Sequence, residues 1–485
     1  MVDGIIRWAL SNRLLVLAIA VALMAWGGLE TARTPVDVFP DLTAPTVTLV
    51  ADAHGMAPEE VEALLTLPIE TAMNGATGVR RVRSKTQVGI AVIDVDFDWG
   101  TDIFRARQVV SERLQLVTAT LPPDVEPPVM GPVASIMGEI LYIGLTSKNH
   151  SPMELRTTGE WQIARRVLAI PGVAQAIVMG GDIRQFQVLL DPRRLDAWEI
   201  TADEVAQTLR KANENTSAGF LVEGGQEQLI QGLGRIQTVE DIAATLVTMR
   251  DDRPVLVGDL GDVQIGPGLK RGEAGVDGER GVVIGVRKQP RANTVALTGE
   301  IKSVLDTLKR SLPEGMELHD SVFRQADFIE VAVDNVSSAL LHGALLVIVT
   351  VLLFLMSGRA TIITALAIPL SLLTAMLAMR LQGFEINTMT LGGMAIAVGA
   401  LVDDAIIDVE NVVRRLRLEG MRPKSERRSV LKVVFEASKE VRRSIVFATL
   451  VIIVVFTPLF FLTGVEGRLL RPLGFAYSAS LAASL

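Results

Sequence analysis

The sequence predicts a multi-pass α-helical membrane protein with an α+β extracytoplasmic domain built from two split βαβ (ferredoxin-like) repeats plus an inserted docking subdomain. Three observations predict it. Apolar residues make up 49% of the chain and mean hydropathy is +0.38, high for a water-soluble protein. The apolar runs are concentrated near the start and after Val336, with a long mixed region between them. That mixed region carries strand-like alternation and Pro-started helices that recur 94 residues apart.

Leu14–Leu29 carries no charge and follows an amphipathic lead-in of Ile5, Ile6, Trp8 and Leu10. Further runs cover Val336–Ser357, Thr361–Met379, Thr388–Val413 and Ser444–Thr463. Each has the ~20 residues needed to cross a hydrocarbon core of ~30 Å at 1.5 Å per residue. Pro472–Leu485 reads as the start of a sixth span. Residues 1–33 read as an uncleaved signal-anchor. A cleaved signal peptide fits the basic start, but Trp26-Gly-Gly-Leu-Glu-Thr-Ala-Arg offers no small-x-small cleavage site.

Charge orients these spans. Arg414–Arg443 holds eleven Lys or Arg against four Glu, which places it in the cytoplasm. Counting back, Arg359 falls on a cytoplasmic loop, Arg380–Asn387 lies outside, and the N-terminus with Arg7 and Arg13 lies inside. Residues of about 30–335 are then extracytoplasmic.

Residues 46–98 read as strand (Thr46–Ala51), helix (from Pro58 to Asn74-Gly75) and two strands (Val79–Ser84 and Val88–Phe97). Pro at the first turn and acids beside the positive end of the dipole favour that helix. In the last strand Val88, Ile90 and Val92 share one face. A helix over Asp102–Val117 completes the unit. In the second copy, helix Pro152–Ala169 precedes strands Ala174–Met179 and Gln185–Leu190 and helix Ala202–Asn213. This gives paired split βαβ units. A Gly- and polar-rich insert at about 215–275 reads as a docking subdomain or as long loops. The chain thus divides into 1–33, 34–134, 135–335 and 336–485.

Net charge is −8, so no basic face for nucleic acid is expected. With no cysteine, disulfides and thiolate metal sites are excluded. His54, His150, His319 and His342 show no ligand spacing and read as surface or packing. No Ser/His/Asp, Cys/His, Walker or dinucleotide pattern is present, so the expectation is a non-enzyme without cofactor, not driven by ATP.

The third long run contains Asp403, Asp404, Asp408 and Glu410, followed by Asn411. A mid-membrane carboxylate costs ~2.5–3.5 kcal/mol, so function is the default reading. Asp403 and Asp404 fall ~23 Å from Thr388 along the axis, near mid-membrane. At 100° per residue Glu410 shares a face with Asp403, about 20° away, while Asp404 and Asp408 share another, about 40° apart. Adjacent carboxylates in low dielectric cannot both ionise cheaply, so one can load and release a proton. The alternative is polar glue or inter-helix salt bridging. Gly392, Gly393 and Gly399 on the same helix permit close helix approach. The spans offer no mid-membrane Lys or Arg, so a cationic partner is expected from outside this chain.

Over all its length the chain resembles the first half of a resistance-nodulation-division transporter. Gly399-Ala-Leu-Val-Asp-Asp-Ala-Ile-Ile-Asp-Val-Glu-Asn-Val looks like that family's fourth transmembrane helix. The resemblance implies a proton-driven inner-membrane efflux pump, homotrimeric, working with a periplasmic adaptor and an outer-membrane channel. It makes Asp403 and Asp404 proton-relay residues and Glu410 a relay partner, with Asp408 and Asn411 as further candidates. Pro35-Val-Asp-Val-Phe-Pro-Asp-Leu-Thr, Ala57-Pro-Glu-Glu-Val-Glu, Glu70-Thr-Ala-Met-Asn-Gly, Gly100-Thr-Asp-Ile, Met137-Gly-Glu-Ile, Gly232-Leu-Gly-Arg-Ile-Gln and Phe461-Leu-Thr-Gly-Val-Glu-Gly are similar to its heavy-metal-efflux branch.

The tandem Asp403-Asp404 instead resembles the multidrug branch, so amphiphiles stand as the alternative cargo. Divalent-cation pumps carry an acid where this chain has Ala397. Copper pumps place methionines where it has Met389, Leu401 and Asp408. Met389 and Met394 are the candidate metal ligands, with Met376 and Met379 as possible contributors, since thioethers suit monovalent copper. Packing is the competing role for each. A membrane-anchored sensor or scaffold is the alternative from another class.

Overall fold

The computed structural model describes residues 2–485 except 35, 41, 43, 54, 124, 135–137, 251, 271 and 291. Pro35, Asp41, Thr43, His54 and Met137, named above, lie outside the described residues.

A short helix α1 (Val2–Ser11) leads into α2 (Arg13–Arg33). Beyond it come β1 (Thr46–Asp52), helix α3 (58–74), β2 (Val79–Gln87), β3 (Ile90–Phe97), α4 (Ile103–Thr118) and β4 (Val129–Met130). Pro58 starts α3 with Glu59 and Glu60 in its first turn, and the turn Glu62–Thr66 widens to a π-helix. Asp102 caps α4, its carboxylate accepting from the N–H groups of Phe104 and Arg105. The antiparallel sheet runs β2-β3-β1-β4. Val47, Leu49 and Ala51 of β1 and Ala91, Ile93, Val95 and Phe97 of β3 pack beneath both helices. The inward face of β3 is therefore opposite to the one traced through Val88, Ile90 and Val92. Val88 is not in the strand at all, but 64% exposed at the hairpin turn.

The second unit begins with β5 (Glu139–Ser147), α5 (152–168) and β6 (Val173–Met179). Helix α5 repeats the design of α3: Pro152 at its start, capped by Ser151 and Glu154, and a π-turn at Gly159–Ala164. The 94-residue correspondence stops there. Strand β7 (Arg184–Leu190) and helix α6 (Ala202–Ala212) were expected to complete this unit, and they do not. Along with the exposed hairpin β8 (Thr216–Glu223)–β9 (Gln226–Gly232) and strands β10 (Leu246–Arg250) and β11 (Arg253–Leu256), they precede β12 (Gly261–Pro267), with which β7 pairs. Val205 of α6 is buried with Ile200, Ile242, Val255, Val257 and Leu260 in a core of their own.

The second unit resumes at β13 (Ala274–Val276), β14 (Glu279–Lys288), α7 (Thr294–Lys309) and β15 (Met316–Arg324). Strand β14 pairs with β5 on one side and with β6 and β13 on the other, and β15 pairs with β5. Val282, Ile284 and Val286 of β14 and Ile301 and Leu305 of α7 join Ile140, Ile143 and Leu145 of β5 in its core. Strand β14 and helix α7 thus occupy the places that β3 and α4 hold in the first unit.

Strand β15 runs straight into α8 (Gln325–Leu355), followed by α9 (Gly358–Leu381), α10 (Thr388–Gly420), α11 (Val430–Phe456) and α12 (Gly464–Ser484). Among the described residues, α2 and α8 to α11 are long and apolar enough to cross a membrane. The chain is a membrane protein with an α+β domain. The basic segment 414–443 is mostly helical, because α10 and α11 both extend into it. Helix α10 is the hub, with α8, α9, α11 and α12 all packed on it.

Candidate functional site

Helix α10 is a continuous 33-residue helix whose start is fixed by Asn387, 1% exposed, its side chain accepting from the N–H groups of Met389 and Thr390. The acids emerge on the two faces that 100° per residue dictates. Asp403 and Glu410 are exposed, and among the described residues neither makes a hydrogen bond or ion pair. Asp404 and Asp408 are half-buried, turned toward α11 and α12.

Asp404 interacts electrostatically with Arg442 of α11 and Tyr477 of α12. Tyr477 is buried in an apolar cluster with Ala397, Leu401 and Leu481, its ring 4.4 Å from that of Phe456. Arg442 Nη1 stands 3.5 Å from Asp408 Oδ2, each side chain 25% exposed, while Asp408 Oδ1 is buried without a hydrogen-bond partner among the described residues. The expectation that no cation of this chain reaches the cluster is thereby overturned. Arg442 was missed because it belongs to the basic segment. The available signal was its place at the start of the apolar run of α11, two residues before Ser444.

Asn411 is buried and ties α10 to α11. Its Nδ2 donates to the Ala437 carbonyl at 2.9 Å and to Glu440 at 3.3 Å, and its Oδ1 accepts from Arg414 at 2.8 Å. Arg415 pairs with the same Glu440 at 2.7 Å. This network links the two helices and carries no titratable group of its own at Asn411.

The methionines lie far from the acids. Met394 is 4% exposed in a cluster with Met379, Ile386, Leu391 and Ala476, and Met376 packs against it. Met389 is half-buried, one turn nearer the start of the helix. Among the described residues, no group of three or more His, Asp or Glu is placed to hold a metal ion. Of the three glycines, Gly393 makes the close approach: a Cβ there would stand 2.5 Å from the Leu473 carbonyl of α12. Gly392 and Gly399 have nothing within 4 Å.

A hub helix bearing carboxylates among apolar helices, with two α/β units between the first and second of those helices, is the architecture of a membrane protein with an α+β domain. The chain belongs to the AcrB/AcrD/AcrF family, whose model matches residues 5–485. It is 34% identical to protein HelA of Legionella pneumophila, over 100% of this chain and 47% of that protein. It is 35% identical to the cation efflux system protein CusA of Escherichia coli (99% and 46%) and 33% identical to the cobalt-zinc-cadmium resistance protein CzcA of Cupriavidus metallidurans (99% and 46%). The crystal structure of a heavy metal efflux pump superimposes with a TM-score of 0.88 at 28% identity, covering 99% of this chain and 47% of that one. The chain spans about half the length of the curated relatives it matches.

Proposed function

We propose that this chain is the N-terminal half of a proton-driven inner-membrane pump that exports a heavy-metal cation. The observation that carries the reading is the placement of Asp403 and Asp404 on the hub helix of a chain whose full length matches relatives named for cation efflux. In it, Asp404 loads a proton within the bundle, Asp403 and Glu410 present carboxylates to whatever covers the exposed face of α10, and Asn411 holds α10 on α11. Residues of about 30–335 lie in the periplasm, and the pump works as a homotrimer with a periplasmic adaptor and an outer-membrane channel. The shared strand order supports reading 34–134 and 135–335 as two split βαβ, ferredoxin-like units. The second of them is interrupted between β6 and β13, and the docking insert of about 215–275 lies within that interruption.

Buried Met394 and half-buried Met389 support a soft-cation path better than a carboxylate one, because Ala397, fully buried, stands where the divalent pumps have an acid. The tandem acids favour a second reading, efflux of amphiphiles by the same engine. Tolerance assays of cells carrying the full-length gene decide between them. Protection against silver or copper but not against dyes is expected, and protection against dyes alone would overturn the metal reading. Asp404→Asn should abolish export while leaving the protein in the membrane. Metal tolerance undiminished in both Asp403→Asn and Asp404→Asn, with no export measurable, would instead leave a sensor or scaffold.

A further inference from the structure

Asp408 is the acid that the proton reading uses least, and Arg442 is the cation that the sequence did not place. They meet inside the bundle, a turn beyond Asp404 on the same face of α10. The contact is not a closed bidentate clamp. One Asp408 oxygen is 3.5 Å from the guanidinium and the other is buried with no donor among the described residues. A guanidinium has five N–H donors and does not lose its charge at any working pH. It is therefore a permanent positive charge paired with Asp408 and felt by Asp404, the acid that changes its charge on the proton reading.

We propose that Arg442 is a positioning residue of the proton step: it sets the pH at which Asp404 takes up its proton, and Asp408 is the counter-charge that offsets part of the Arg442 field rather than a second proton carrier. The inference rests on the reading of Asp404 as the loading site. The Asp408 carboxyl, 3.5 Å from the guanidinium, offsets part of the Arg442 charge, so the pair acts on Asp404 as two opposed terms. The other groups around Asp404 do not supply this field. Asp403 is its neighbour on α10 and Tyr477 faces it from α12. From α8, His342 is exposed at the level of Ala395, since Leu340 and Gly343 line one groove with Ala395 and Val398. That is ~13 Å along the axis from Asp404 at 1.5 Å per residue. On α9, Arg380 is paired with Glu30 at 2.5 Å, and Arg359 is exposed in the first turn.

The test is a charge cycle on the full-length pump in lipid vesicles, reading the protonated-carboxyl infrared band against pH. Asp404→Asn assigns the band by deleting it. Arg442→Gln should raise the Asp404 midpoint by about one pH unit, the low end of what a nearby opposite charge does. Asp408→Asn should lower it, and the double variant should fall between wild type and Arg442→Gln, because the two terms oppose each other and the Arg442 term is the larger. Arg442→Lys, which keeps the charge, should stay near wild type. Shifts of the same sign in both single variants, no shift in either, or no band lost in Asp404→Asn would overturn the proposal. If Arg442→Gln does not fold, Asp408→Asn and Arg442→Lys decide alone: an unchanged midpoint in the first, or a raised one in the second, overturns it. Export by Asp404→Asn beside opposed shifts would sink the proton reading and leave the pair standing.

Discussion

A carboxylate's role depends on what surrounds it, and Asp96 and Asp404 sit at opposite ends of that range. Asp96, on β3, is 4% exposed and accepts from Thr46 Oγ1 at 2.9 Å, from Arg81 at 3.0 and 3.1 Å and from Arg83 at 3.2 Å. Burial pushes its carboxyl up, but the hydroxyl and the two guanidiniums outweigh burial and hold it below the usual carboxylate range. A carboxyl with a depressed folded-state pKa contributes stability above its unfolded value of ~3.9, and that contribution is lost as pH falls through the folded value. Asp96→Asn should therefore cost about 2 kcal/mol at neutral pH. Unfolding followed by circular dichroism should show the gap to wild type closing below pH ~4. Asp96 was not singled out from sequence, because an acid alternating with Val95 and Phe97 looks like an ordinary solvent-facing position. Asp403 and Asp404 were legible because the twelve residues before them, Leu391–Val402, carry no polar side chain. Arg442 was not, because a lone cation at the edge of a basic segment has no distinguishing neighbours in sequence.

At the scale of elements, periodicity carried the reading where partners are close in sequence and failed where they are not. The first unit was legible because its strands and helices follow one another without interruption. In the second, β7 follows β6 at hairpin distance and alternates, and α6 is amphipathic, so both satisfied the pattern locally. Only pairing with β12 reveals that they belong to a separate core. Helix packing shows the same division. Three glycines on α10 satisfied the small-residue rule, yet only Gly393 lies against another helix backbone. Gly393→Ala should lower the thermal midpoint of the purified protein by a loss of ~1–3 kcal/mol, and Gly393→Leu by more, as α12 is pushed away. Gly299, mid-helix in α7 with open space around its Cβ position, gives the contrast: Gly299→Ala should be neutral or stabilising by up to ~1 kcal/mol.

At the scale of the whole molecule, the membrane helices were legible because an uncharged run of ~20 apolar residues matches the thickness of a hydrocarbon core. One tie between bundle and α/β units was not, since it rests on three residues of an irregular segment. Val36 bridges to Ile386, the Asp37 N–H donates to the Ile386 carbonyl at 3.0 Å, and Thr388 donates to the Val38 carbonyl through both its N–H and its hydroxyl. The Asp37 carboxylate accepts from Lys288 Nζ of β14 at 2.9 Å, and Lys288 also donates to Thr294 at 2.6 Å and to the Ala292 carbonyl at 3.2 Å. One short strap thus joins the first turn of α10, the acid-bearing helix, to the central strand of the second unit. Lys288 is 7% exposed, so Asp37→Ala leaves a buried cation without its counter-charge and should cost about 3 kcal/mol. Replacing both partners by apolar residues, in Asp37→Leu with Lys288→Met, should recover most of that stability, because no charge is then left unpaired. Calorimetry checks the stability half of this prediction and export by the full-length pump checks the other. If the strap transmits movement of α10 to the second unit, the double variant regains its thermal midpoint while export stays impaired. Export restored along with stability would show the pair to be an anchor alone.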